Sequence, residues 1–344
     1  MLFRSLFISG NRAVTATIGD SNNNLKLISW DLVGLSALNR KGEIEAGAVK
    51  EVYLGEPLTD FVLAAVRQQD DQLKMIAFQV GPTGNLLRRA DLTAGKISAL
   101  DMATTTSGNR RSVTAVRDAN GDLKLIAWDI ELANNGAVSI RRLGQASAGR
   151  VSALSVSRAK NFTGVFTAVR DASNDLLVIP WKLSADGQSF SRGAGASAGA
   201  IGLHLDVAPL AGGVAAAVQD SDGKLRLITW SVNSSGDIGR RREFNVAGDA
   251  SEINLLTAPH AGSNLTAVAR GGDGRLYLIG WQVDGDGRNL RRLGSSRAGA
   301  ASRISADSVS RSYADGPRDM ILTSMRATGG ELRLITWDTN LVNP

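Results

Sequence analysis

Seven times along the chain a short, almost unbroken apolar run closes on an aromatic residue: LKLISW (25–30), LKMIAF (73–78), LKLIAW (123–128), LLVIPW (176–181), LRLITW (225–230), LYLIGW (276–281) and LRLITW (332–337). The intervals between the closing aromatics are 48, 50, 53, 49, 51 and 56 residues. Such a run, bounded by turn residues, is too short for a helix and reads as a strand buried on both faces. Shorter β-rich stretches precede it, as in RVSALSVS (150–157) and TGVFTAVRD (163–171). The turns DANGD, DSDGK and GGDGR between the second and third stretches supply the Asn, Asp and Gly of tight hairpins. A fourth stretch carries arginine, as in NLLRRADL (85–92), VSIRRLG (138–144) and NLRRLG (289–294). An Ala-Gly pair then leads into the next copy, six times, from Ala46-Gly47 to Ala298-Gly299.

Four strands per copy and about fifty residues per copy predict an all-β, seven-bladed β-propeller forming a single domain. The blades fall at approximately 1–47, 48–95, 96–149, 150–199, 200–248, 249–299 and 300–344. One sheet cannot bury both faces of its third strand, whereas a ring of sheets can, and the closing aromatic then fills the wedge between neighbours. The count of strands is uneven. LFRSLFIS at the start reads as an inner strand, and only seven residues follow Trp337, so the last blade is expected to lack a regular outer strand. That unpaired edge is a candidate docking place for a protein partner.

Composition narrows the function classes. With 43% hydrophobic and 21% charged residues in 344, the chain is a soluble globular type. There is no cysteine, hence no disulfide framework. No apolar stretch is long enough for a membrane span, and MLFRSLFISG reads as a strand and not a secretion signal. The formal charge of +6 leans weakly toward acidic partners, with nucleic acid not the expected one.

Candidate chemistry lies in the repeats. The second strand ends in an arginine at Arg67, Arg117, Arg170 and Arg326, while the fifth copy has Gln219, the sixth Ala269 and the first Gly19. Such arginines read either as rim groups that bind a sugar hydroxyl or carboxylate, or as partners of a neighbouring tryptophan or turn carboxylate. Trp128 and Trp181 read either as stacking platforms for a sugar or as packing between blades. The outer-strand arginines read as a polyanion belt or as charge that blocks edge-to-edge pairing. Asp220–Gly223 and Asp284–Gly287 resemble calcium loops but lack the further carboxylates of a full site, so no metal is expected. His204 and Asp206 in GLHLDV share one face of an inner strand and are expected to line the central channel, with no triad completed around them. No catalytic residue and no cofactor are expected.

The unit TAVRDANGDLKLIAWDI…IRRLG (114–144) resembles the repeat of bacterial seven-bladed propeller lectins of the Photorhabdus-lectin type. The resemblance runs through all seven copies, from about residue 2 to 338, although the motif is short and degenerate. It implies recognition of fucose or related glycans in shallow pockets between blades. Where those lectins place tryptophan on the outer strand, this chain has arginine. The expected function is non-enzymatic, multivalent carbohydrate binding to a glycan or polysaccharide, at repeated weak sites that reinforce one another. An extracellular or cell-surface location fits that role. The alternatives are a protein-interaction scaffold and, behind it, an enzyme acting in the channel.

Overall fold

The computed structural model describes residues 3–8, 11–34, 37–105, 111–258, 264–284, 289–313 and 316–338. Among them every regular element is a strand and the pairings are antiparallel. The first unit is β1 (Phe3–Ile8), β2 (Arg12–Ile18), β3 (Asn24–Val33) and the first half of β4 (Ala37–Gly55), whose second half opens the next unit. There β5 (Phe61–Gln68) and β6 (Gln72–Val80) follow, and β7 (Leu86–Thr104) closes that unit and opens the third. The third holds β8 (Ser112–Asp118) and β9 (Asp122–Leu132), with β10 (Val138–Arg158) running on into the fourth. The fourth continues through β11 (Gly164–Asp171) and β12 (Asp175–Leu183) to two short pieces, β13 (Phe190–Arg192) and β14 (Ala196–Ala200). The fifth has β15 (Leu205–Leu210), β16 (Gly213–Gln219), β17 (Lys224–Val232) and the start of β18 (Ile238–Thr257). In the sixth, β19 (Asn264–Gly271) and β20 (Arg275–Val283) follow, and β21 (Leu290–Tyr313) passes into the last, with β22 (Gly316–Ala327) and β23 (Leu332–Asp338).

The outer strand of one unit and the inner strand of the next are thus usually one strand, not two separated by a turn at Ala-Gly. The register slips at that point, and the small pair lets the chain swivel from sheet to sheet without a loop. Gly47, at φ +83°, sits where a side chain would be strained. Each handover is fastened to the preceding hairpin turn: Val49, Ile97, Val151, Ile201, Ala250 and Ala301 donate their amides to Asn23, Asp71, Gly121, Asn174, Gly223 and Gly274.

The fourth unit breaks the pattern, for a reason visible in its third strand. Pro180 has no N–H to give the outer strand. The outer strand is accordingly split into β13 and β14, with the Gly193 amide bonded to the Pro180 carbonyl at 2.9 Å. In the last unit β23 pairs only with β22 among the described residues, and the expected irregular tail falls on residues 339–344, outside them.

The core lies between units. Trp128, completely buried, packs with Leu63, Met75 and Leu100 of the second and third units, and Trp181, Trp230 and Trp281 pack likewise further along. Ala13 and Leu32 of the first unit share a cluster with Met320 and Leu322 of the last. At the centre, a cavity of about 310 Å3 is lined by the inner strand of every unit, including Arg4, Tyr53, Asp101, Ser155, Asp206, Asn254 and Ser305.

Candidate functional site

The second strand ends at the rim, and its terminal arginine reaches across to the backbone where the following unit begins. Arg67 Nη1 donates to the Ser98 carbonyl at 2.6 Å, and Arg117 Nη1 to the Ser152 carbonyl at 3.2 Å. Arg170 Nε donates to the Ile201 carbonyl at 3.0 Å. Gln219 Nε2 does the same to Ala250 at 2.7 Å, and Arg270 Nε to Ala301 at 2.6 Å. Arg326 instead meets an acid, Asp20 Oδ2 at 2.7 Å, in the first unit. The register corrects two alignments: the sixth counterpart is Arg270, opposite Leu276 as Arg170 is opposite Leu176, with Ala269 one residue earlier, and the first counterpart is Ile18, opposite Leu25, with Gly19 one residue later. The doubled glycine of GGDGR had disguised the match.

Trp128 and Trp181 are 0% and 1% exposed, so neither indole offers a face for a sugar to stack on. Their N–H groups are used inside the unit, on Thr114 Oγ1 at 2.9 Å and Thr167 Oγ1 at 3.0 Å. Trp30 and Trp337 find Thr15 and Thr323 in the same way. The signal for this Thr–Trp pairing in the sequence is a threonine 14 or 15 residues before the closing tryptophan, at Thr15, Thr114, Thr167 and Thr323.

Among the described residues of the outer strands, four arginines pair with acids, while Arg89, Arg142, Arg291 and Arg292 meet uncharged oxygens. Arg40 pairs with Glu43, Arg88 with Asp91 and Arg241 with Glu243. Arg141 Nε lies 2.8 Å from Glu131 Oε1. A slip in register between Ser29 and Trp30, and between Ala77 and Phe78, brings the arginine and the acid three residues on to the same side. Lys26 and Lys74 on the third strand meet the same acids, at 3.4 and 3.0 Å.

One groove between units is large. Between the fifth and sixth, about 410 Å3 is bounded by Gly248, Asp249 and Ala250 on one side and Tyr277, Arg292 and Ser295 on the other. The half-buried Tyr277 gives its hydroxyl to Asp273 Oδ2 at 2.7 Å. The backbone amide of Arg275 and this hydroxyl hold Asp273 below the usual carboxylate range. The groove therefore offers an aromatic ring with carboxylates at one end and a guanidinium and a hydroxyl at the other.

The central cavity spends its polar groups on holding units together. Asp101 Oδ2 accepts the Val156 amide at 2.7 Å, Asp206 Oδ2 the Leu255 amide at 2.7 Å, and Asn254 Oδ1 the Ala306 amide at 3.0 Å. Asp206 Oδ1 also accepts from the Ser155 hydroxyl at 2.6 Å. Burial, with the Asp206 charge second, pushes Asp101 up to about 7. Burial raises Asp206 as well. An adjoining cavity of about 250 Å3 contains Glu51, Tyr53, His204, Glu252 and Arg303. Burial lowers His204, and Glu252 is engaged by Arg303 at 2.7 Å and the Ile304 amide at 2.8 Å. Among the described residues no cluster of three or more His, Asp or Glu is arranged to hold a metal ion.

This architecture is that of a β-propeller. A lectin of Burkholderia pseudomallei superposes with a TM-score of 0.64 at 14% identity, covering 98% of this chain and 95% of the lectin. A putative 6-phosphogluconolactonase of Bacteroides fragilis gives 0.57 at 14% identity, with 94% of each chain covered. The periplasmic gluconolactonase of Pseudomonas aeruginosa gives 0.53 at 12%, with 93% of each covered. At these identities the likeness is one of fold. No family model and no curated protein sequence matches the chain.

Proposed function

We propose that the chain is a closed, seven-bladed propeller that binds carbohydrate without catalysing a reaction, in grooves between adjacent blades. The blades follow the repeat boundaries given above. The observation that carries this reading is the groove between the fifth and sixth units, where a tyrosine ring is flanked by acceptors and donors on a scale suited to one or two sugar residues. The likeness to a bacterial lectin and the resemblance to Photorhabdus-type repeats support it. Arg67, Arg117, Arg170 and Arg326 are the ligand-binding arginines of the other blades in this reading, and each guanidinium has N–H groups beyond those in its latch. Trp128 and Trp181 lie beneath the surface and pack between units in this reading, without touching the sugar. Repeated weak sites would gain by multivalency. A glycan array on the purified protein, followed by titration of Tyr277→Ala, tests it. Binding weakened at least tenfold with melting unchanged is expected. A folded protein that binds no glycan overturns the proposal.

A second reading has its own observation. His204, whose pKa burial lowers, shares a cavity with Glu252 and Arg303, and two of the similar structures are described as lactonases. Sugar-lactone hydrolysis above the buffer rate, lost in His204→Gln, would establish an enzyme. Protein docking, as a third, belongs to the outward edge of β23, which has no strand partner among the described residues.

A further inference from the structure

We infer that the groove between the fifth and sixth units selects a saccharide bearing a carboxylate, and that Arg292 is the residue that selects it. This rests on the carbohydrate reading above and narrows it.

Four departures from the repeat converge on this one groove. Before the rim position the other copies have Thr17, Val66, Val116, Val169, Val218 and Met325, and the sixth has the smaller Ala269. After it stand Gln68, Asp118, Asp171, Asp220 and Ala327, with glycine at Gly19 of the first copy and at Gly271 of the sixth, where a Cβ would come within 2.6 Å of Tyr277 Cε2. The second position of the third strand is Lys26, Lys74, Lys124, Leu177, Arg226 and Arg333 elsewhere, and Tyr277 here. Two residues further along the third strand, where Ile28, Ile76, Ile126 and Ile228 face Glu43, Asp91, Gln145 and Glu243, Ile279 faces Ser295, while Arg297 stands opposite Tyr277 itself. All four replacements line the same space. Two of them shrink side chains, and a third removes a side chain from the path of the fourth, an aromatic ring.

The same changes alter the charge. In the first, second and fifth units an acid sits between two cations: Glu43 between Lys26 and Arg40, Asp91 between Lys74 and Arg88, Glu243 between Arg226 and Arg241. In the sixth unit the acid and one cation are gone together. Arg292 remains, held only by the Ser295 hydroxyl at 3.1 Å, with no carboxylate in ion-pair range among the described residues. A ligand carboxylate at this place would restore the contact that the chain makes for itself in its sister units, and a planar guanidinium suits it. At the other end Asp249 and Asp273 repel an anion and accept hydroxyls, which orients the sugar along the Tyr277 ring. A uronic-acid or sialic-acid residue has this division, a carboxylate on one side and hydroxyls on the other.

The test is calorimetric titration of the full chain with galacturonate, glucuronate and sialate oligosaccharides and with their uncharged methyl esters. At least one acid should bind tenfold or more tightly than its ester, weakening as salt rises. Arg292→Gln should abolish that preference, and so should Ser295→Glu, which restores the acid of the sister units; both positions are exposed, so melting should not move. Acid and ester binding equally would overturn the inference while leaving carbohydrate binding intact. So would neutral glycans alone binding on the array. A preference that survives in both variants would assign the acid to another groove and overturn the role of Arg292. Failure of every glycan would instead remove the underlying carbohydrate reading.

Discussion

The junction between the second and third units and the junction between the last and the first do the same job by different means. At the former, β7 belongs to both sheets, pairing with β6 through one half and β8 through the other. Trp128 fills the space beneath, and Arg67 latches the rim. At the latter no strand is shared among the described residues. Ala13, Leu32, Met320 and Leu322 form a small cluster, and the rim is closed by the exposed Arg326–Asp20 pair. Between the fourth and fifth units the situation is intermediate: β14 ends at Ala200 and β15 begins at Leu205, so side chains and single amides bridge the break. A shared strand fixes neighbouring sheets through the backbone; a seam without one depends on a few side chains.

The largest effect should come from the well-joined side. Trp128→Ala removes a fully buried ring and its hydrogen bond and should cost about 3–5 kcal/mol in denaturant unfolding. Leu322→Ala at the seam should cost less globally, about 2–3 kcal/mol, because fewer side chains surround it. Its stronger signature should be in amide exchange, with β2 and β22 losing protection before β8 and β9. Equal protection loss on both sides would break the contrast.

A smaller effect follows from the staples in the channel. Folded Asp101 holds its proton up to about pH 7, whereas the unfolded chain releases it near pH 4. Over that interval the folded state binds more protons, so stability falls as pH rises, by roughly 2–3 kcal/mol between pH 5 and 7. Asp101→Asn should flatten this slope while keeping an acceptor for the Val156 amide, as Asn254 does naturally for Ala306. A melting curve with the same pH slope in the variant would assign the titration elsewhere.

The smallest change should strengthen a seam. Trp230 packs at the break between the fourth and fifth units, and its indole N–H has no partner among the described residues. In four other units the residue 14 or 15 positions earlier is a threonine; here it is Ala216. Ala216→Thr should add about 1 kcal/mol by supplying the acceptor. A loss of stability would mean that the added methyl overfills the site.

Much of this was legible beforehand because burial on both faces writes itself as an unbroken apolar run. LLVIPW became β12 and TGVFTAVRD became β11 with little change of bounds. In the sequence the Ala-Gly handovers read as connections, since a swivel within one strand leaves no turn residues to mark it. Pro180 was in plain view, yet its effect falls on the strand beside it. The groove was hidden for a different reason. Its walls come from four positions spread over 27 residues, each an ordinary substitution alone, and only the register of β19, β20 and β21 brings Ala269, Gly271, Tyr277 and Ser295 together. The paired roles of the arginines were equally out of reach, because their partners belong to the neighbouring unit.

The break between Ala200 and Leu205 divides the strands into two hydrogen-bonded sheets, one of 14 and one of nine. A cut at residues 201–204 would sever no ladder bond, and each piece would keep its own sheet whole. What then joins the pieces is apolar surface at two seams, with a handful of polar contacts to set their alignment. The chain is therefore a natural candidate for splitting into two complementary fragments that reassemble on mixing, with recovery of the folded whole serving as a reporter of whatever brings the fragments together.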